Sequence, residues 1–248
     1  MSNRKKSTLF TLLCLCILIP TTLILGSRLK GRWYYLTSTL IVVEAMIPFF
    51  YAFEIRKPKA GELVTVAVLA ALAAVSRGAF AFLPHFKPVV GIIMIVGIAF
   101  GGEVGFLTGA IAAFASNFFF GQGPFTPWQM MSYGMGGFLA GAVFHRSWEK
   151  WEKKKLFPVA LGSFGFLSVL LLVGPLLDIC SLFTMSSTLS WDFAIACLSS
   201  GFFVNLTHSL STLLTLLLLG QMDFGDVEKR RQECDEGYLA DLFDKDRK

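Results

Sequence analysis

Apolar runs alternate with short polar or charged breaks along almost the whole chain. The spacing of the breaks predicts eight helices, near residues 8 to 26, 34 to 53, 62 to 82, 88 to 102, 104 to 120, 127 to 144, 156 to 176 and 193 to 219. Most of these runs approach the roughly 20 apolar residues that cross a hydrocarbon core. The fourth is short for a span and is expected to tilt or to continue through Gly101 and Gly102. Thr126, Pro127 and Gln129 have the spacing of a capping box with proline in the first turn, so Pro127 is expected to start the sixth helix, and Pro88 the fourth.

The breaks also divide the chain. EIRKPKAGE, which holds Pro58 and Gly61, separates spans rich in Leu, Ile and Thr from spans dominated by Ala, Gly and Phe. Residues 1–61 are therefore read as an N-terminal transmembrane hairpin with its linker, 62–220 as a six-helix core, and 221–248 as a charged cytoplasmic tail with a short amphipathic helix around Tyr238 to Phe243. The first apolar run is long and no A-x-A site follows it, which favours an uncleaved helix over a signal peptide.

Composition and charge agree with this reading. The 248 residues are 54% hydrophobic, with mean hydropathy +0.64, the profile of an all-α integral membrane protein. Alternation from a cytoplasmic N-terminus places 17 of the 22 Lys and Arg on the cytoplasmic side, so both termini are expected inside under the positive-inside rule. The net charge of +5 follows from that bias, and no basic run is interleaved with stacking aromatics as nucleic-acid binding would want. The five cysteines show no metal-ligand spacing and read as packing residues. No P-loop, H-E-x-x-H or G-x-S-x-G occurs. The chain is thus expected neither to hydrolyse ATP by itself nor to be an enzyme, and no cofactor or metal is expected.

Within the core, small residues form ridges that end in polar ones. Gly105, Gly109, Ala113 and Asn117 follow at i+4 in the fifth helix; Gln129, Tyr133, Gly137 and Gly141 repeat the pattern in the opposite sense in the sixth. The third helix carries the overlapping pairs Ala67/Ala71 and Ala70/Ala74 and then Arg77. Small ridges let membrane helices approach closely. A rise of about 1.5 Å per residue places Arg77 and Tyr133 roughly 10 Å below the outer helix ends, with Asn117 nearer the surface and Asn205 and His208 in the outer half of the eighth helix. The polar residues of four helices are expected to meet at one outward-facing level. Ionisable groups at such depth usually face a bundle interior. Trp128 fits an interfacial aromatic, Asn205 and His208 fit interhelical hydrogen bonding as well as ligand contact, and Glu44 needs a partner that the sequence does not name.

Three stretches, 70–92, 102–130 and 201–214, resemble the substrate-binding S components of energy-coupling factor (ECF) transporters, prokaryotic importers of vitamins and micronutrients. The glycine, proline and aromatic run FGQGPFTPWQ is the most specific part. The resemblance implies a six-helix S-component bundle, here preceded by the extra hairpin, in a prokaryotic plasma membrane. It also implies a vitamin-like substrate, with cobalamin favoured and pantothenate or a queuosine precursor as alternatives. The partners implied are a transmembrane coupling protein and two ATPase subunits. Arg77, Asn117, Gln122, Gln129, Tyr133, Asn205 and His208 are the candidate substrate-binding residues, and Ala67, Ala70, Ala71 and Ala74 match the family's docking stripe. Asn205 stands where the family pattern has an acid. The alternative is a stand-alone secondary transporter, for which Glu44 is the candidate ion-coupling acid.

Overall fold

The computed structural model describes residues 10, 13–27, 33–55, 60–147, 156–185 and 190–220, and all regular structure among them is helical. Helix α1 comprises a π-helical turn, Cys14–Leu18, and the α-helix Ile19–Ser27; α2 is Trp33–Glu54, α3 Ala60–Ala79, α4 Val89–Phe100, α5 Gly102–Phe120 and α6 Thr126–Phe144. Helix α7 is made of Phe157–Ser168, a π-helical segment Val169–Val173, and Gly174–Met185; α8 is Trp191–Leu219. The expected eight helices form, and the proposed tail lies outside the described residues. Among the described residues, five stretches have the length and apolarity to cross a membrane: Leu36–Glu54, Ala60–Ala79, Gly102–Phe120, Phe157–Met185 and Trp191–Leu219.

Helix α6 is absent from that set for a physical reason. It lies at the centre of the bundle, against α2, α4, α5 and α7, where small and polar residues such as Ser132, Gly134 and Gly137 are buried. Its neighbours, and not lipid, decide its composition.

Helices α4, α5 and α6 touch through their backbones. A Cβ on Gly105 would lie 2.6 Å from Cα of Gly97, and one on Gly137 would lie 2.5 Å from the carbonyl oxygen of Gly105; one on Gly97 would collide with the carbonyl oxygen of Gly137. The two glycine ridges therefore mesh, and close contact of this kind replaces the hydrophobic driving force that lipid removes.

Helix α4 does not continue through Gly101 and Gly102. Gly101 adopts φ +101° and ψ 160°, a conformation that admits only glycine at low cost, and it reverses the chain directly into α5. With 12 residues, α4 is about 18 Å long. It crosses only part of a bilayer.

The seventh run does not end at 176. Pro175 lacks an N–H and would crowd the preceding turn of an α-helix. A π-helical segment absorbs the mismatch: the Gly174 N–H reaches the Val169 carbonyl, and the helix resumes to Met185. Pro20 follows a π-turn in the same register, with Ile19 N–H bonded to the Cys14 carbonyl.

The N-terminal helices pack on the rest of the bundle through aromatic residues. Phe49 stacks on Phe106 with centroids 4.0 Å apart and meets Phe138 edge-on at 5.0 Å. Glu44 finds its partner within the hairpin, accepting a 2.6 Å hydrogen bond from Thr22 Oγ1.

Candidate functional site

One end of the bundle, here called the loop end, carries the α3–α4 connection (residues 80–88) and the α5–α6 loop (121–125). Arg77 lies in the last turn of α3, with Val66, Ala70 and Ala73 on the same buried stripe. It is only 5% exposed. Its Nη1 donates to Ser116 Oγ and to Asn117 Oδ1, both at 2.7 Å, and its guanidinium lies 4.7 Å from the centroid of the Phe120 ring. Lys87 approaches the same ring, with Nζ 5.3 Å from the centroid. Two cations thus share one aromatic ring, a cation–π arrangement. Burial first, and the Arg77 charge second, hold the Lys87 ammonium below the ordinary lysine range.

Asn117 links α3 to α6. Its Nδ2 donates to Gln129 Oε1 at 2.8 Å and to Thr126 Oγ1 at 3.1 Å. Thr126 in turn donates to Gln122 Oε1 at 2.9 Å and accepts from the Gly123 N–H at 3.2 Å; Gln122 Nε2 donates to the Phe114 carbonyl at 3.0 Å. This chain replaces the expected capping box. Phe125 occupies the N-cap position without a side-chain cap bond, because the Thr126 and Gln129 side chains are engaged with Asn117. Pro127 still sits in the first turn, as its missing N–H allows.

The remaining sequence-selected residues form two further contacts. Tyr133 and His208, both buried, meet edge-to-face with centroids 6.1 Å apart. Asn205 Nδ2 donates to Asp178 Oδ2 at 2.7 Å across α7 and α8. Each partner of this pair sits against a glycine. A Cβ on Gly174 would collide with the Asn205 side chain, and one on Gly201 with that of Asp178.

A cleft of ≈ 290 Å³ opens between the α5–α6 loop and the last turns of α7, bounded by Phe125 and Gln129 on one side and Leu177, Cys180, Ser181 and Thr184 on the other. Gln129 joins it to Asn117 and, through Asn117, to Arg77. Of the candidate binding residues Gln129 lines it, whereas Arg77, Asn117, Gln122, Tyr133, Asn205 and His208 do not. The volume is at the small end of ligand pockets.

Three readings change. Trp128 is not an interfacial aromatic: it is 6% exposed, packs with Val42 and Cys180 and stacks on Phe183 at 6.0 Å. Ala70 is completely buried and so leaves the expected docking stripe, because three residues from Ala67 turn the helix by 300°, onto the face of Arg77. Ala67 and Ala71 are exposed and Ala74 is half-buried. Glu44 is not the sole intramembrane acid, since Asp178 lies well inside Phe157–Met185.

The structure also adds Ser116, Thr126, Lys87 and Asp178, which the sequence reading did not select. Asp178 carried the clearest signal, as the one acid in its helix. It lies beyond residue 176, where the seventh apolar run was expected to end. Among the described residues no group of three or more His, Cys, Asp or Glu is placed to hold a metal.

The family model described as "ECF transporter, substrate-specific component" matches residues 62–224. No curated protein and no solved structure gives a match. The model covers most of the chain and every helix from α3 to α8, with the loop-end network inside it, and so this multi-pass membrane protein belongs to the family of substrate-specific components of ECF transporters.

Proposed function

We propose that the protein captures a vitamin-like micronutrient at its loop end, facing the outside of a prokaryotic plasma membrane, and passes it inward with a transmembrane coupling protein and two ATPases. The observation that carries this is the connected set Arg77–Asn117–Gln129, which runs from a buried cation to the wall of a cleft. Arg77, Asn117, Gln129, Tyr133, Asn205 and His208 are the binding residues in this reading. Gln122 acts one step back, by holding Thr126, and Phe125 belongs to the lid.

The cleft suits a compact vitamin as it stands. The resemblance favours cobalamin, and a corrinoid would require the α7–α8 hairpin to move away from the α5–α6 loop. Such movement has a place to occur, at the π-helical segment Val169–Val173. Both termini are cytoplasmic in this reading, and residues 1–61 form an accessory hairpin outside the six-helix core of 62–220.

Partner docking falls to the small stripe of α3 formed by the exposed Ala67, Ala71 and Gly78 with the half-buried Ala74. Nothing lies within 4 Å of a Cβ built on Gly78. The stripe therefore presents a flat, low-relief face to another helix.

Binding of the purified protein to a panel of vitamins, cobalamin among them, tests the reading. It expects one member to bind at micromolar Kd or tighter and the coupling protein and ATPases to co-purify. Uptake in membranes that lack any ATPase module would instead establish the stand-alone transporter, with Asp178 as its coupling acid.

A further inference from the structure

Arg77 is a charged side chain in the interior of a membrane bundle, and no carboxylate meets it. Its guanidinium contacts are two neutral oxygens, on Ser116 and Asn117, and the face of Phe120. Its Nε is buried without a hydrogen-bond partner. Lys87 adds a second cation over the same ring. His208 Nε2 is a further buried nitrogen without a partner. Among the described residues no ion pair is formed by either cation.

Buried charges are ordinarily paired, because an ion removed from water recovers its hydration only from an opposite charge or a full set of hydrogen bonds. Ionisable groups inside membrane helices keep to the same rule. Here the protein supplies positive charge and leaves out the negative. Neutral oxygens position the guanidinium without neutralising it, which leaves a fork-shaped donor available for a carboxylate or phosphate.

We infer that the substrate carries an anionic group, a carboxylate or a phosphate ester, which Arg77 and Lys87 bind beside Phe120 while the rest of the molecule extends past Asn117 and Gln129 into the cleft. This rests on the reading of the chain as a substrate-binding component and narrows it. Pantothenate, with its carboxylate, and cobalamin, with its phosphodiester, both satisfy the requirement. A cationic queuosine precursor meets like charge and is disfavoured.

Matched pairs that differ only in the anion test it by calorimetry on the purified protein: pantothenate and pantothenol, biotin and biotinamide, nicotinate and nicotinamide. The expected result is that the anionic member of one pair binds about 10-fold to 100-fold more tightly than its neutral partner. Arg77→Gln weakens the anionic member more than its neutral partner and so shrinks that difference, and Arg77→Lys keeps part of it. Lys87→Gln, at a half-buried position, reduces the difference by a smaller factor and holds the test open if Arg77→Gln fails to fold. Equal binding of charged and neutral partners, or equal weakening of both by Arg77→Gln and Lys87→Gln, overturns the inference and leaves the substrate-binding reading intact. If no pair binds, the ligand extracted from the complex with its ATPase partners decides: an anion supports the inference and a neutral or cationic molecule overturns it. Neither ligand nor ATPase partner would remove the functional reading and the inference together.

Discussion

Glycine is put to opposite uses in two interfaces of this protein. Between α5 and α6, Gly105, Gly109, Gly134, Gly137 and Gly141 bring one helix against the other, and a Cβ at any of them meets atoms of the facing helix at 3.0 Å or less. Between α7 and α8, Gly174 and Gly201 make room for side chains, the Asn205 amide and the Asp178 carboxylate. The first interface has no space to rearrange. The second carries a polar contact beside a π-helical segment, and α7 borders the cleft. Rigidity near the polar network and adjustability at the cleft are what a binding protein needs if it is to hold donors in place and still admit a ligand.

The comparison breaks most sharply at Gly137. Gly137→Leu should cost about 3 kcal/mol or more, since overpacking against backbone allows little relaxation, and a large fall in detergent Tm, or loss of folded protein, checks it. Retention of wild-type Tm would mean that the ridges do not mesh.

Asn117→Ala removes the link between Arg77, Thr126 and Gln129. Leaving these buried groups underpaired should cost about 1–3 kcal/mol of stability and weaken ligand binding about tenfold, as calorimetry would register. Unchanged affinity would separate the network from the site.

The two faces of α3 allow a cleaner contrast. Ala70→Leu, on the buried face, should lower stability by about 1–3 kcal/mol. Ala71→Leu, on the exposed face, should stay within about 0.5 kcal/mol and keep ligand affinity, yet abolish uptake in cells carrying the coupling module. Normal uptake by Ala71→Leu would place docking elsewhere.

At α7–α8, a double-mutant cycle on Asp178→Ala and Asn205→Ala should give a coupling of about 1 kcal/mol in unfolding measurements. Additive effects would show that the contact contributes nothing to holding the hairpin.

The smallest effect concerns pH and rests on the anion inference. Because burial and Arg77 lower the Lys87 pKa, the unfolded chain binds the Lys87 proton more readily than the folded one. Unliganded stability therefore rises as pH increases from that lowered pKa towards the ordinary lysine value. Affinity for an anionic ligand runs the other way and falls as Lys87 loses its proton. Lys87→Arg keeps its charge and should flatten the decline in a titration of Kd against pH. An equal decline in Lys87→Arg would assign the effect to another group.

Where a residue reported its own requirement, the sequence was enough. Apolar length showed the helices, i+4 glycines showed the ridges of α5 and α6, and Arg77, Asn117 and Gln129 were identifiable because polar groups are costly in an apolar helix. Where the outcome depended on a neighbour, it was not. Thr126 and Gln129 had the spacing of a cap but turned to Asn117, and the seventh run, expected to end at 176, continues to Met185 through a π-helical segment. Ala67 and Ala70 looked equivalent, and only packing put one outside and the other against the core. The sequence by itself determined an all-helical membrane chain with small ridges and a set of polar residues near one level. Only the tertiary structure decided which of them share hydrogen bonds, that Asp178 answers Asn205 across two helices, and that Arg77 meets no carboxylate. Periodicity and transfer energy act along the chain and are written in local composition; pairing and burial depend on which surfaces meet, and α6 at the centre of the bundle is where that is settled.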